Sequence, residues 1–299
     1  MCYKGGETLR DTIAKLFRPS NIGTAVFFAL NFGLILLMFY PYSFTTYGLA
    51  ILLSFYVLTV VISLSPVGEW MLSVFAGAKE IKRKDVKLKS IPLLEVVYNK
   101  AKEKSPNMVD SIHLKIIPGM ETNAYAIGRR TICVTEGVLN LPDEMIMGIF
   151  AHEIGHIANR HSQIQLLIGG ANFFISTFIL ILKLIAWMIT GLFGLFALGT
   201  KRLRTGCLIG LVGSISTILV YLWVKFCRLF LMWSSRKNEF VADEYAYSIG
   251  FGNQLAFVLD NIIETPTKNG FLKALYSSHP DRNERIARLQ ELGATYSRW

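Results

Sequence analysis

The segment Ala151–His161, AHEIGHIANRH, holds residues whose types and spacing suit metal chemistry. His152 and His156 are four residues apart, so on a helix both imidazoles lie on one face and can bind the same ion. Glu153 is placed to accept a proton from a water on that ion. The chain has only five histidines, and this pattern arises by chance in on the order of one chain in a hundred or fewer. The segment therefore predicts a metal site rather than two incidental histidines on a helix.

A catalytic zinc takes three protein ligands and leaves one position open. A third histidine six residues after the second would supply the missing ligand in one arrangement, but Ser162 stands there. His161 follows His156 by five residues and would lie about 140° around an ideal helix. We therefore expect His161 at the surface or the lipid interface rather than on the metal.

The segment NEFVADEYA, residues 238–246, offers a better third ligand. Glu239 and Asp243 are four residues apart on a second predicted helix. Glu239 would complete a His-His-Glu site, and Asp243 would accept the outer N–H of a metal-bound imidazole. Two solvated acids are the alternative reading of this segment taken alone. Histidine and carboxylate ligands favour zinc among the divalent metals, and we expect one Zn²⁺ per chain.

The composition indicates that part of the chain lies in lipid. Of the 299 residues, 52% are hydrophobic and only 17% are charged, and the mean hydropathy is +0.42, which is high for a soluble domain of this length. The net charge is +10, but the basic residues flank apolar blocks, as expected beside anionic headgroups. No nucleic-acid recognition motif accompanies them, so nucleic acid is not an expected partner. The four cysteines are scattered without a CxxC pair, which argues against a disulfide framework or a thiolate zinc site and fits a reducing compartment.

Two uncharged stretches near the N-terminus, 21–40 and 47–64, are each long enough to cross a bilayer. They predict a transmembrane hairpin over residues 21–64, preceded by a cytosolic segment at 1–20. Basic residues precede and follow the hairpin, whereas its tip carries none. The positive-inside rule therefore places both outer ends of the hairpin in the cytoplasm.

Two further transmembrane segments are predicted within residues 164–224. If His156 and Glu239 bind one ion, the chain between them crosses the membrane an even number of times. We expect two crossings, with the KRLR sequence at 201–204 on the outer face. In the alternative, residues 205–224 do not span, but their uninterrupted apolar length argues against it. The prediction is a multi-pass protein with four spans and a metal site facing the cytoplasm.

The remaining sequence has the character of a soluble domain in two parts, 65–163 and 225–299. Apolar spacing predicts a helix over Ile91–Lys104. The Leu141–Glu144 segment, with its proline and two acids, predicts the start of the helix that carries both histidines. Short β-prone segments separated by glycine and proline predict a small sheet: 112–118, 122–128 and 131–137. The fold class expected is mainly α, with a cytosolic α+β domain joined to four transmembrane helices.

Several motifs in order resemble one family. HEIGH, followed after a hydrophobic interval by NEFVAD, with TNAYAIG before and SHPDRNERI after, resembles the HtpX-type membrane metalloproteases, relatives of the type I prenyl-protein (CAAX) endoprotease. The resemblance covers nearly the whole chain. It implies a gluzincin-like zinc protease core and a zinc metalloendopeptidase acting on misfolded or membrane proteins. This would be a quality-control protease of the cell membrane, with proteins or peptides as substrates and the lipid bilayer as its surroundings.

Two of these motifs suggest further roles. TNAYAIG resembles the family's Asn-Ala-Phe-Ala segment and suits an exposed edge strand that pairs with an extended substrate, although an ordinary sheet strand is the alternative. In SHPDRNERI, the resemblance implies that His279 stabilises the oxyanion and that Arg285 braces the carboxylates; incidental charge at a helix start is the alternative. The substrate-binding residues expected are Asn123, Ala124, Tyr125 and Ala126, with tyrosine in the place of the family's phenylalanine.

Two other classes of function compete with proteolysis. A metal transporter would place ionisable residues within its membrane spans, but His152, His156 and Glu239 all lie outside the apolar blocks. A membrane sensor or adaptor that binds zinc without cleaving anything would have no use for Glu153. The sequence therefore favours a protease in which Glu153 is the general base, and leaves the sensor or adaptor as the alternative.

Overall fold

The computed structural model describes residues 18–169, 203–261 and 280–296, with a few single positions outside these ranges. The chain is mostly helical and has one small mixed sheet, which confirms that part of the predicted fold class. Two helices come first. Helix α1 spans Ile22–Met38 and helix α2 spans Thr46–Leu64, and a short 3-10 turn at Tyr42–Phe44 joins them. The hydroxyl of Thr45 caps α2 by accepting a hydrogen bond from the Gly48 N–H.

By length and composition, two helices of the described part of the chain can cross a membrane. The apolar stretches run over Pro19–Leu37 and Thr46–Leu64, 19 residues each, close to the ~20 residues that a hydrocarbon core requires. They coincide with the predicted hairpin. The four-span arrangement and its orientation remain predictions, since much of residues 170–202 lies outside the described part.

The sheet has four strands: β1 is Lys79–Glu80, β2 is His113–Ile117, β3 is Ala124–Ile127 and β4 is Thr131–Thr135. The strand order is β1-β2-β4-β3, with β2 and β4 parallel and the two outer pairs antiparallel. Each of the three predicted β-prone segments contains one strand. Strand β3 is therefore the last strand at one side of the sheet, with Tyr125 in register with Cys133 of β4.

The remaining helices surround the one that carries the histidines. They are α3 (Pro66–Phe75), α4 (Lys84–Lys104), α5 (Glu136–Leu139), α6 (Asp143–Ala158), α7 (Leu203–Ser248), α8 (Gly252–Asn261) and α9 (Arg282–Glu291), and residues 161–169 are also helical. Pro142 is the N-cap of α6 and acids occupy its first turn, as predicted. Helix α6 contacts α4, α7, α8 and β3. Its apolar residues Ile146, Phe150 and Ile154 have no exposed surface, so the core fixes this helix on several sides.

Helix α7 is one continuous helix of 46 residues, which corresponds to a length of about 69 Å. It contains the uncharged stretch 205–224 and continues to the NEFVADEYA segment, because no proline interrupts it. The predicted domain boundary at residue 224 therefore falls inside a helix. The division into 1–20, 21–64, 65–163, 164–224 and 225–299 remains a prediction.

The start of α1 packs against α7 in the antiparallel direction. The Asn238 side-chain amide donates to Asn21 Oδ1 over 2.8 Å, and the Thr24 N–H donates to Ser234 Oγ over 3.0 Å. The first apolar helix thus begins beside the residue that precedes Glu239.

Candidate metal centre

The structure brings the three predicted metal ligands together. His152 and His156 lie on α6 and Glu239 lies on α7. The two Nε2 atoms are 3.1 Å apart, and Glu239 oxygens lie 3.5 Å from His152 Nε2 and 3.4 Å from His156 Nε2. Each residue offers one ligand atom, and these atoms lie within 4.8 Å of one another. Both histidines are 9% exposed and Glu239 is 5% exposed.

These three residues fit a zinc ion. With ligand bonds of ~2.0–2.1 Å, a tetrahedral zinc has neighbouring ligand atoms roughly 3.3–3.4 Å apart. The separations of 3.1, 3.4 and 3.5 Å among the imidazole nitrogens and carboxylate oxygens are close to this value. Two imidazoles and one carboxylate are also a ligand set of catalytic zinc sites that keep a fourth position open.

A glycine allows α6 and α7 to approach so closely. Gly155 lies against α7, where an added Cβ would meet the Ala242 carbonyl oxygen at 2.8 Å and the Ala242 Cα at 3.1 Å. Helix backbones in near contact bring Glu239, one turn before Ala242, to the histidines. Sequence reasoning assigned Gly155 no role, although its position between the two histidines was a usable signal.

Asp243 lies on the outer side of His152, as predicted from its spacing. Its Oδ1 is 2.9 Å from His152 Nδ1, and the carboxylate is 2% exposed. If His152 binds a metal through Nε2, its ring proton must be on Nδ1. The hydrogen bond from this Nδ1–H to Asp243 favours that tautomer. Burial by itself lowers the pKa of His152, but its hydrogen bonds to Asp243 and Glu239 outweigh burial and raise the pKa to about 10. The pocket therefore favours positive charge at this point, which a divalent cation also supplies.

Arg285 of α9 connects the two carboxylates. Its Nε and Nη2 donate to the two oxygens of Asp243 over 2.7 and 2.6 Å, and its Nη1 lies 3.2 Å from Glu239 Oε2. Burial raises the pKa of Asp243, but the charge and hydrogen bonds of Arg285 prevail and hold it below its ordinary value. Arg285 thus lies against both carboxylates, and the role that the resemblance implies for it stays a prediction.

Glu153 is buried, with 6% of its surface exposed, and follows His152 on α6. Burial raises the pKa of Cys133 in β4 to about 12; the nearby Lys115 opposes this increase, and the charge of Glu153 adds to it. Since Cys133 is the register partner of Tyr125, the charge of Glu153 lies near the side of the sheet that β3 forms.

The predicted substrate segment lies at the edge of the described sheet. Asn123 precedes β3, and its backbone N–H and carbonyl bond to the Thr135 hydroxyl and N–H, each over 3.0 Å. Residues 124–127 form β3, which pairs with β4 on one side only among the described strands. Alternate backbone groups of such an end strand face away from the sheet. Substrate binding by Asn123, Ala124, Tyr125 and Ala126 stays a prediction.

His279, the predicted oxyanion residue, lies outside the described residues. Its role therefore also stays a prediction.

The expectation that His161 lies at the surface is wrong. His161 is 4% exposed, and its Nδ1 is 3.1 Å from His156 Nδ1. Helix α6 ends at Ala158, and Arg160 adopts a φ of +63°, in the left-handed region. The chain turns there, so the angle calculated for an uninterrupted helix does not apply, and His161 returns to the outer side of His156.

Comparison with known proteins gives the family. The model described as peptidase family M48 matches residues 92–293, which include both histidines and Glu239. The chain is 31% identical over 204 residues to a protein named "Protease HtpX homolog" from Sulfurihydrogenibium sp. (strain YO3AOP1), covering 57% of this chain and 64% of that protein. It is 30% identical over 227 residues to another "Protease HtpX homolog", from Thermococcus sibiricus (strain DSM 12597 / MM 739), covering 67% and 73%.

A third relative, "Protease HtpX" from Xylella fastidiosa (strain 9a5c), is 28% identical over 198 residues, 59% of this chain and 65% of that protein. The chain thus spans a little under two thirds of two of these three relatives. The solved structure "Crystal Structure of S. mikatae Ste24p" matches 95% of this chain and 65% of its own with 15% identity and a TM-score of 0.45, a level that does not establish a shared fold. The resemblance to the HtpX-type metalloproteases is confirmed, and the chain belongs to peptidase family M48.

Proposed function

We propose that this chain is a membrane-embedded zinc endopeptidase that hydrolyses peptide bonds of misfolded or membrane proteins, as part of protein quality control. The observation that carries the proposal is the convergence of His152, His156 and Glu239 on one point, with the buried Glu153 beside the first ligand. A metal-binding protein without catalysis has no need of an acid at that position.

The chain's own residues supply most of the proposed mechanism. A zinc ion held by His152, His156 and Glu239 would supply Lewis-acid chemistry, polarising a carbonyl group and lowering the pKa of water. Glu153 accepts a proton from water as the water attacks the scissile carbonyl carbon, and then delivers that proton to the leaving amine. His279 donates a hydrogen bond to the oxyanion that develops on the carbonyl oxygen.

Two residues hold this arrangement in place. Asp243 accepts a hydrogen bond from the Nδ1–H of His152 over 2.9 Å, which keeps Nε2 as the ligand atom. Arg285 pairs with both oxygens of Asp243 and with Glu239, so one guanidinium orients both buried carboxylates and balances one of their two negative charges.

The proposed substrate lies as an extra strand beside β3, next to Asn123, Ala124, Tyr125 and Ala126. Pairing of this kind uses backbone hydrogen bonds, which any extended peptide can form, while side-chain pockets add specificity. An unfolded segment of almost any protein can meet the first requirement. This supports a broad preference for misfolded chains.

We further propose four transmembrane spans in the cell membrane, with both termini and the zinc site in the cytoplasm. The start of α1, at Asn21, is hydrogen-bonded to Asn238, the neighbour of Glu239. The basic segment before α1 favours the cytoplasmic side, and the metal ligands would share it.

Metal analysis paired with a cleavage assay tests the proposal. The purified protein in detergent should contain one zinc per chain and cleave unfolded casein, and a chelator should stop cleavage until zinc is restored. The Glu153→Gln variant should keep its zinc and lose cleavage, because glutamine cannot accept the proton. Glu239→Ala should lose zinc as well as activity.

Two outcomes contradict the proposal. Cleavage by pure Glu153→Gln protein at a substantial fraction of the wild-type rate would rule out Glu153 as the general base. One zinc per chain in the wild type, without cleavage of any unfolded substrate, would favour the sensor or adaptor instead.

A further inference from the structure

A third histidine lies behind the proposed metal ligands. The Nδ1 atoms of His156 and His161 are 3.1 Å apart, and the two ring centroids are 5.3 Å apart with planes at 67°. His161 is 4% exposed, and the two residues that follow it, Ser162 and Gln163, are 2% and 3% exposed. The contact between the two rings is therefore shielded from water.

The chemistry of imidazole assigns a direction to this contact. His156 faces His152 and Glu239 through Nε2, so that nitrogen must carry a lone pair to bind a metal, and the ring proton sits on Nδ1. The Nδ1–H of His156 then donates, and Nδ1 of His161 must accept. The proton of a neutral His161 is consequently on its own Nε2.

The two histidine ligands are thus supported in parallel ways. His152 has Asp243 on its outer nitrogen at 2.9 Å, and His156 has His161 on its outer nitrogen at 3.1 Å. Arg285 balances the charge of Asp243.

We propose that His161 is a positioning residue for His156: it fixes the tautomer and the ring orientation that direct Nε2 to the metal. The inference rests on the proposed zinc site. Outer hydrogen-bond partners of this kind change metal affinity by about 10–100-fold when they are removed.

The backbone holds His161 in this place. Arg160, at a φ of +63°, turns the chain back towards α6. The Ser162 hydroxyl donates to the Gly128 carbonyl oxygen over 2.6 Å and ties the next residue to the turn that follows β3. The imidazole ring of His161 is thus held against His156 by the turn at Arg160, which precedes it, and by the hydrogen bond of Ser162 to the turn after β3, which follows it.

Three variants distinguish a hydrogen bond to His161 that orients His156 from a side chain that only fills the space beside His156. His161→Phe keeps an aromatic ring of similar size but has no acceptor, whereas His161→Asn places an amide oxygen near the position of Nδ1. Ser90→Ala is the control, because Ser90 is also buried and its hydroxyl donates to the Val86 carbonyl oxygen within α4, away from the ligands. Zinc dissociation constants come from competition with a chromogenic chelator.

We expect the zinc dissociation constant of His161→Phe to rise about 10–100-fold, and those of His161→Asn and Ser90→Ala to stay within roughly threefold of the wild type. A dissociation constant for His161→Phe within threefold of the wild type overturns the inference. Equal weakening in the Phe and Asn variants also overturns it, since a structural role alone would produce that result.

A measurement on the wild type keeps the inference testable even if His161→Phe does not fold. In zinc-loaded protein labelled with ¹⁵N-histidine, two-bond nitrogen–proton correlations should show His161 as the Nε2–H tautomer and His156 as the Nδ1–H tautomer. An Nδ1–H tautomer at His161 refutes the inference. Failure of the wild type to bind zinc refutes the metal site itself, whereas tight zinc binding that is unchanged in His161→Phe refutes only the role of His161.

Discussion

Replacing Arg285 by leucine should destabilise the protein and weaken the metal site together. The guanidinium is 3% exposed and bonds both oxygens of Asp243, which is 2% exposed, and it also lies 3.2 Å from Glu239. Leucine fills much of the same volume but leaves two buried carboxylates without this cation. Removing one partner of a buried ion pair costs about 3–5 kcal/mol, because the remaining charge is not compensated.

This free energy sets the size of the expected change in melting temperature. At 2–4 °C per kcal/mol, the Arg285→Leu variant should melt roughly 6–20 °C below the wild type. Burial raises the pKa of Asp243 and Arg285 lowers it, so without Arg285 the pKa should rise. A protonated Asp243 holds the Nδ1 proton of His152 less well, and zinc should bind about 10-fold or more weakly.

Thermal unfolding followed by circular dichroism, in detergent at a fixed zinc concentration, measures the change. Arg288→Leu is the matched control: Arg288 lies on the same helix, is exposed, and contacts the Phe240 ring at 5.2 Å, a contact that contributes only about 0.5–1 kcal/mol. The double variant Arg285→Leu/Asp243→Asn should recover part of the lost stability. A melting temperature of Arg285→Leu within 2 °C of the wild type, or losses that simply add in the double variant, would refute the reasoning.

Three further predictions follow from burial, activity and topology. Cys133 has no exposed surface and a pKa of about 12, so about one thiol in ten thousand is ionised at pH 8. Iodoacetamide should therefore modify Cys133 only after the protein is unfolded. Modification of Cys133 in the native protein, detected by peptide mass spectrometry, would contradict this prediction. The purified wild type should cleave itself over hours in detergent, whereas fragmentation that persists with a chelator and in Glu153→Gln would point to a contaminating protease. In a cysteine-free background, Arg202→Cys should react with an impermeant thiol reagent in intact cells, and Lys104→Cys should not. Labelling only at Lys104→Cys would reverse the proposed orientation. Labelling at neither position would favour the alternative in which residues 205–224 do not span the membrane.

The sequence by itself determined the features that depend on local periodicity. The spacing of His152 and His156 placed both rings on one helix face because side chains four residues apart lie one turn apart. The acids after Pro142 located the start of α6, and the β-prone segments located three of the four strands, since turn residues and alternation are local signals. The two apolar stretches near the N-terminus gave the only helices in the described part of the chain that are long and apolar enough to cross a membrane.

The tertiary structure decided the contacts between helices that no local spacing relates. Gly155 sets the spacing of α6 and α7, because a Cβ there would collide with Ala242. The contact between Arg285 and Asp243 joins residues 42 positions apart, which no periodicity relates. The expectation for His161 is wrong because α6 ends at Ala158 and the chain turns at Arg160, which has a positive φ, whereas the calculated angle assumed an uninterrupted helix. Local sequence patterns predict the direction of a side chain only where the backbone dihedral angles repeat regularly. Beyond the end of a helix or strand, the packing of the core determines which residues a side chain contacts.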